Sequence, residues 1–586
     1  MTPEPATLLT LLESAASADV HLSVLDRGER ATRLTWTELL ERALTVAGGL
    51  QAAGIEPGQI VALVFPTGFD FLAAFFGTLL AGAVPAPLYP PARLGRLDEY
   101  HARTAAMLRA ARARIVLVDG RVKRVIGPSI LAGRPPLGCR ELGDLPAGAF
   151  TPVAVAPERL GLVQFSSGTT VDPKPVALSH RALVAQARLL NAFWPDRPGH
   201  RHSGVSWLPL YHDMGLIGTV FLALERPGPL TLIPPELFIA RPAVWLRTIS
   251  RFRATLSVAP NFAYALCTRK VRDEEMEDVD LSSWDVAING AETVVPAALR
   301  AFAERFARWG FRPEAVTPVY GLSEAALAVT FSDPWRSFAA RTFDRAELAA
   351  GRAVERADGR ELASVGRPLP SFGVRILDGG IAPLPDGRIG RIVISGPSLM
   401  DGYLGRPEAT AAVLQDGWLD TGDLGFVLGG ELFIAGRAKE ILIVNGRNFA
   451  PEELERAVEA VAGVRPGCVV ATSWLPDGEP TERVVLLVET SRDCRDAERA
   501  ALPRLCAEAV LACAGLRPSE VVVLAPDTLP RTSSGKLRRR EALRLHLAGE
   551  LRPPRPVTGS LVIAAMARSS LALLRARLAG GTDDDG

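Results

Sequence analysis

The chain has no excess of charge of either sign. Its 66 lysines and arginines are balanced by 65 aspartates and glutamates, leaving a net charge of +1. Nothing in that balance points to a nucleic-acid partner. Cysteine is scarce and scattered: Cys139, Cys267, Cys468, Cys494, Cys506 and Cys513 form no CxxC pair and no framework spacing. That argues against a disulfide scaffold and a structural zinc site, and predicts a reduced, cytoplasmic chain. The opening stretch MTPEPATLLTLLESAASADV has an early acid and no basic segment, so it does not read as a secretory leader. Unbroken hydrophobic runs are also lacking. FLAAFFGTLLAGAVPAPL at 71–88 follows Asp70 and is cut by Gly77, Gly82, Pro85 and Pro87. Its length would suit a membrane span, but the breaks predict a buried helix feeding a buried strand. There is no internal repeat and no Walker A loop. Lys174 follows Pro173, and SSGK at 533–536 has Pro530 where the first glycine should stand.

What is present is a chain of 586 residues, 48% hydrophobic and 22% charged, too long for one core. Between residues 59 and 330, β-branched runs alternate with helix-like stretches. IVALVF, RIVLV, LGLVQF, LTLI and TLSVA are strand-like; SHRALVAQARLLNAFW and VPAALRAFAERFARWG are helix-like. This predicts an α/β fold whose large N-terminal domain, residues 1–435, is built of parallel sheets covered by helices. Residues 366–435 read as a small β-rich subdomain with glycine and proline turns. A compact α+β domain is expected over 441–550, with Pro451 opening a helix. Residues 551–586 read as a linker, an amphipathic helix at 561–578 and a frayed tail.

One loop stands out, QFSSGTTVDPKPVALSH at 164–180. Ser166, Ser167, Gly168, Thr169, Thr170 and Lys174 supply small residues, hydroxyls, exposed N–H groups and a positive charge, which together suit phosphate oxygens. A polar turn is the plainer reading. Ser179 is placed to cap a following helix, which puts the loop between a strand end and a helix.

Further segments follow in order: YGLSE at 320–324, TGD at 421–423, GRAKE at 436–440 and PRTSSGK at 530–536. Together with the loop they resemble the core motifs of the adenylate-forming superfamily of acyl and aryl ligases, over about residues 5–545. VPAPLYPPA, SWLPLYHDMGLIG, APNFAYALC, LSSWDVAINGAE and GRNFAPEELE resemble a narrower group, the fatty acyl-AMP ligases. So does the long stretch between Glu324 and Gly366, with a family-like insertion at about 331–363.

The resemblance implies that a fatty acid is activated by ATP to acyl-AMP with release of pyrophosphate. The acyl group then passes to the phosphopantetheine thiol of an acyl carrier protein in lipid, polyketide or lipopeptide assembly. It implies ATP and Mg²⁺, and neither a nucleic-acid partner nor a transmembrane segment. The 166–170 loop and Lys174 would hold the β- and γ-phosphates, and Thr170 and Glu324 would meet Mg²⁺. Gly290, Ala291, Glu292 and Tyr320, with Gly321 and Ser323 beside them, would line the adenosine site. Asp423 would take the ribose hydroxyls, assisted by Arg437, and Lys536 would be the catalytic group at the α-phosphate. His212 and Met214 would border the acyl pocket, and Lys439 would lie in a hinge at 436–440. Singly, each has a plainer role: Glu324 at a helix start, Asp423 in a turn, Lys536 in a solvated basic run, Arg437 in a surface pair, Lys439 in a linker.

The chain departs from the superfamily at Val171 and Pro175, where glycine is usual. Valine and proline stiffen the loop, and Asp172 adds a negative charge near the expected phosphates. Two alternatives therefore stay open: an acyl-CoA ligase sharing the first half-reaction, and an inactive nucleotide-binding homologue.

Overall fold

The computed structural model describes residues 6–91, 94–166, 173–194, 202–379, 382–444, 447–476, 482–532, 535–555 and 557–580. The apolar run at 71–88 folds as its breaks demand. Helix Phe69–Leu80 buries every residue from Phe71 to Leu80, and strand Val84–Pro87 follows. Phe71, Phe75 and Phe76 are wholly interior, each contributing about 1.5–3 kcal/mol of burial. Strand Val84–Pro87 pairs in parallel with Ile60–Val64, which pairs with Ile115–Val118, which pairs with Cys139–Arg140. Among the described residues, no helix is long and apolar enough to cross a membrane.

Among the described residues, a second sheet has nine strands. Its centre runs parallel through His21–Leu25, Leu230–Leu232, Gly204–Ser206, Leu256–Ala259, Val286–Asn289 and Val316–Gly321. Antiparallel strands flank it, Ala31–Thr35 on one side and Ala328–Phe331 on the other. Open parallel sheets place ligands beyond the carboxyl ends of their strands. Here those ends lead into residues 260–262, 290–295 and 321–325.

The 164–180 region differs from the sequence expectation. Strand Leu160–Phe165 is answered by an antiparallel strand, Pro175–Ser179, so the loop joins two strands rather than a strand and a helix. The short apolar stretch before Ser179 is a full return strand. Ser179 does cap helix His180–Phe193, its hydroxyl accepting the Ala182 N–H at 3.4 Å. Pro175 stands first in its strand, where a missing N–H breaks no interior rung. Its carbonyl accepts the Leu404 N–H at 2.8 Å, beside a third strand, Gly402–Tyr403.

Strands Gly373–Asp378, Gly390–Ser395, Trp418–Leu428 and Glu431–Arg437 form an antiparallel sheet. Within the expected insertion, Ala340–Phe343 and Arg360–Ala363 make a hairpin whose Phe343 and Leu362 pack on Phe426 and Phe433. Beyond Arg437, helices Pro451–Glu459 and Asp496–Ala514 cover strands Val464–Trp474, Arg483–Thr490 and Glu520–Leu524 around a core of their own. Pro451 occupies the first helical turn, where its missing N–H costs nothing. Helix Gly559–Gly580 packs elsewhere, against helix Gly120–Gly133. There the Gly127 N–H donates to Ser569 Oγ at 2.9 Å, and a Cβ on Gly127 would lie 2.1 Å from the Ser569 carbonyl oxygen.

Candidate active site

A cavity of about 270 Å³ opens at the carboxyl ends of the central strands. One end is apolar, with Leu190, Trp194, Met214, Leu222, Leu327 and Phe331. The other is polar, with Lys174, Glu324, Tyr403, Arg437, Lys439 and Lys536. Gly218 also faces it, from the π-helical turn Leu216–Phe221. Such turns widen a helix locally and recur at functional sites.

Each charged group is placed by identifiable neighbours. Glu324 belongs to a single 3₁₀ turn, Ser323–Ala325, directly after strand Val316–Gly321. The chain bends so tightly there that a Cβ on Gly321 would lie 1.8 Å from the Leu327 carbonyl oxygen. The Glu324 carboxylate accepts the Tyr403 hydroxyl at 2.9 Å, and its backbone carbonyl accepts the Met400 N–H at 2.8 Å. The Lys174 ammonium lies 4.6 Å from the centroid of the Tyr403 ring, a cation–π contact. Burial, reinforced by the adjacent Glu324 carboxylate, holds the Tyr403 phenol well above its usual range, so it remains a donor. One tyrosine thus braces both Lys174 and Glu324; it lies in the unremarkable sequence DGYLG and was not anticipated.

Tyr320, Asp423 and Arg437 form a second unit. Asp423 and Arg437 are cross-strand partners in the Trp418–Leu428 and Glu431–Arg437 pair. The Asp423 carboxylate accepts the Tyr320 hydroxyl at 2.7 Å and Arg437 Nε at 3.0 Å. Burial pushes the Asp423 carboxyl up, and Arg437 and the Tyr320 hydroxyl pull it back. Asp423 and Tyr320 are nearly buried, while Thr421, Gly422 and Arg437 reach the cavity itself.

A third unit supports the apolar end. Asp213 lies 2.6 Å from His212 Nδ1, accepts the Met214 N–H at 2.7 Å and accepts the Ser323 hydroxyl. Burial alone would raise its carboxyl. The His212 charge, with the hydrogen bonds from His212, Ser323 and Met214, instead brings it down to about 2. Asp213 was not singled out in the sequence, where the adjacent histidine carried the attention.

Lys536 enters from the C-terminal module. Its backbone N–H donates to Thr532 Oγ1 at 3.0 Å. Its ammonium has no hydrogen bond or ion pair among the described residues. Burial lowers its pKa, and the charge of Glu292 resists that shift. Glu292, open to water in the cleft yet surrounded by protein, has its carboxyl raised by desolvation, with Lys536 opposing. It accepts the Phe262 N–H at 3.3 Å.

The structure therefore brings Ser166, Lys174, His212, Met214, Ala291, Gly321, Ser323, Glu324, Arg437, Lys439 and Lys536 to one cavity. Ala291 sits at a φ of 73°, a costly conformation for a non-glycine residue, and turns the chain at the cavity wall. Gly290 lies behind that wall; a Cβ there would be 2.8 Å from Val319 Cγ2. Ser167, Gly168, Thr169 and Thr170, with Val171 and Asp172, lie outside the described residues.

Comparison with known proteins agrees with this geometry. Residues 12–404 match the family model described as AMP-binding enzyme. A Caulobacter vibrioides protein, whose name provisionally calls it an acyl-CoA synthetase, is 37% identical over 556 residues, covering 93% of this chain and 96% of its own. The long-chain-fatty-acid–AMP ligase FadD26 of Mycobacterium marinum is 34% identical over 545 residues, covering 88% of this chain and 91% of its own. A solved structure from studies of fatty acyl-adenylate ligases of E. coli and L. pneumophila superposes with a TM-score of 0.87 at 32% identity, over 93% of this chain and 98% of that one. A family match over most of the chain and relatives of this closeness, with the cavity in the expected place, make the chain a member of the AMP-binding enzyme family.

Proposed function

We propose that the protein is a fatty acyl-AMP ligase that hands its product to an acyl carrier protein. The observation that carries this reading is the two-ended cavity, with Lys536, whose ammonium has no hydrogen bond or ion pair among the described residues, at its polar end. An apolar chain suits the end with Leu190, Trp194 and Phe331, and a nucleotide suits the end with Lys174, Arg437 and Lys536.

A fatty-acid carboxylate oxygen attacks the α-phosphorus of ATP. The bond from that phosphorus to the bridging oxygen breaks, and pyrophosphate leaves. Both reactants are anionic, so the protein's task is to neutralise charge and align the attack. Lys536 stabilises the charge that gathers on the α-phosphate. Lys174, with the 166–170 loop, holds the β- and γ-phosphates. Asp423, presented by Tyr320 and Arg437, accepts the ribose hydroxyls, and the backbone at 290–292 borders the base. Glu324 is a hard oxygen donor facing the polar end and fits Mg²⁺, with Thr170 as its companion. Bound Mg²⁺ supplies further neutralisation of phosphate charge. His212 acts as no base: the substrate carboxylate is already ionised at neutral pH, and the ring is engaged with Asp213. The carrier thiolate then attacks the acyl carbonyl and AMP departs. Lys439 lies at the pivot that exchanges Lys536 for the thiol. The work is cytoplasmic, where ATP is available, and the carriers are those of lipid or polyketide assembly.

The test is product analysis by mass spectrometry. Protein, ATP, Mg²⁺ and fatty acids of graded length are incubated alone, with coenzyme A, and with a phosphopantetheinylated carrier protein. Acyl-AMP that persists with coenzyme A and is consumed by the carrier is the expected result. Efficient acyl-CoA formation would make the protein an acyl-CoA ligase, the reading the Caulobacter relative's name favours. No adenylate with any acid would refute both.

A further inference from the structure

Among the described residues nothing holds the Lys536 ammonium, so its place in the cavity is set by the backbone that carries it. That backbone is a tight turn. The Lys536 N–H donates to Thr532 Oγ1 at 3.0 Å, and the Lys536 carbonyl accepts the Thr532 N–H at 2.8 Å. Gly535, directly before the lysine, takes a φ of 90°, and its N–H donates to the Thr532 carbonyl at 3.0 Å. Arg531 and Leu537 form an antiparallel bridge, and the Arg538 N–H donates to the Pro530 carbonyl at 3.0 Å. These contacts shape the turn from within.

The Arg531 side chain ties the turn to a distant part of the module. Its Nη1 donates to the Gly535 carbonyl at 2.6 Å. Its Nη2 donates to the Gly467 carbonyl, 64 residues earlier, at 2.5 Å, and lies 3.0 Å from Cys468 Sγ. Gly467 is itself anchored. It sits at a φ of 70° in strand Val464–Trp474, and its N–H donates at 2.9 Å to Glu459, the last residue of helix Pro451–Glu459. A continuous line of contacts thus runs from that helix through Glu459, Gly467 and Arg531 to Gly535, the neighbour of Lys536. A surface arginine would ordinarily spend its charge on a carboxylate. Arg531 makes no ion pair among the described residues and spends its planar fork on two carbonyls. Its charge also reaches Glu292 across the cleft.

We propose that Arg531 is the positioning residue for Lys536: by bridging the Gly467 and Gly535 carbonyls it fixes the turn that presents the lysine to the reacting phosphate. This rests on the reading of Lys536 as the group at the α-phosphate. Gly467 and Gly535 both belong to the C-terminal module, so the brace travels with the module. It sets where the ammonium stands, not which pose the module takes. A lysine with no side-chain partner needs such a brace, because a small misplacement of a charge-stabilising group costs rate without costing binding.

The test compares full-length Arg531→Gln and Arg531→Lys with the unaltered protein. Pyrophosphate release is followed with ATP, Mg²⁺ and fatty acids of graded length. Arg531→Gln is expected to lower kcat about tenfold or more, with the KM for ATP and for the acid within about twofold. Arg531→Lys should stay within about threefold of the glutamine variant, since one ammonium cannot hold two carbonyls in a fixed fork. A second readout needs no activity. A lysine-specific endoprotease should cut the glutamine variant after Lys536 at least about fivefold faster than the unaltered protein, with thermal unfolding unchanged. Equal kcat and equal cleavage in the glutamine variant would overturn the brace and leave the ligase reading standing. Full recovery by lysine would overturn it in favour of a charge effect at Glu292. A fall in kcat matched by a lower melting temperature and faster cleavage throughout the module would make Arg531 a residue of general stability, and would also overturn it. If the unaltered protein forms no adenylate with any acid, the catalytic reading fails and the proposal with it.

Discussion

Asp213 and Lys536 face the same cavity with opposite charges and opposite degrees of satisfaction. Asp213 is held by His212, Ser323 and the Met214 N–H, and its carboxyl is driven down to about 2. Lys536 has no such hold, and burial makes its charge costly. A buried ion left unsatisfied is expensive unless something is meant to satisfy it. Groups that build the wall are saturated by the wall. The group that meets a ligand is left waiting for it. Tyr320, Asp423 and Arg437 lie between these limits, since Asp423 is braced on both oxygens and yet adjoins the cavity through Arg437.

The largest effect should come from removing the waiting charge. Lys536→Ala is expected to lower the adenylation rate by about 10²–10³-fold while leaving thermal unfolding unchanged. A comparable loss of stability would mean that Lys536 is structural, and the contrast with Asp213 would fail. Next comes Asp423→Ala, which strips Tyr320 and Arg437 of their shared partner. We expect the KM for ATP to rise about tenfold or more, in keeping with about 1.5–3 kcal/mol for a charged hydrogen bond. Tyr403→Phe sharpens the comparison further. It removes the hydroxyl from Glu324 but keeps the ring under Lys174, so the Mg²⁺ concentration needed for half-maximal rate should rise about three- to tenfold, with little change in the KM for the fatty acid.

A smaller shift separates the two charges by pH. Lys536 must be cationic, and burial lowers its pKa from the ordinary 10.5. The alkaline fall in kcat/KM, which reports the free enzyme, should therefore lie below that value, and Lys536→Arg should move it upward. Asp213 acts on the acid side. Its folded value of about 2 lies below the unfolded value near ~3.9, so its stabilisation is complete above about pH 4 and fades as pH falls toward 2. Ser323→Ala removes one donor and should raise the folded value, so that the loss still begins near the unfolded value but is smaller and ends at a higher pH. Melting curves from pH 3 to 7 should show a deficit of about 1 kcal/mol at neutrality.

Much of this was legible in sequence because periodicity and punctuation agree. The broken run at 71–88 became a buried helix and strand, and Ser179 and Pro451 start the helices they were expected to start. The 164–180 loop was misplaced because its return strand is only five residues long and begins with proline, which masks a ladder partner as a pre-helical linker. Tyr403 and Asp213 were missed for another reason. Their importance lies in contacts across 79 and 110 positions of chain, which no local pattern records. The tail was readable as an amphipathic helix, but not which of its faces would turn inward.

The docking of helix Gly559–Gly580 on the N-terminal body has a mechanical corollary. The chain leaves that body after Arg437 and meets it again where Pro554 and Arg555 lie against Gly95, before helix Gly559–Gly580 docks, so the module is tied at both ends. Leu551 packs with the module's own core. From Leu551 to Gly559 the chain can reach about 28 Å when fully extended. The module is therefore leashed: a swing must first lift Pro554 and Arg555 off Gly95, and one beyond the reach of 552–558 must also peel Ser569 off Gly127.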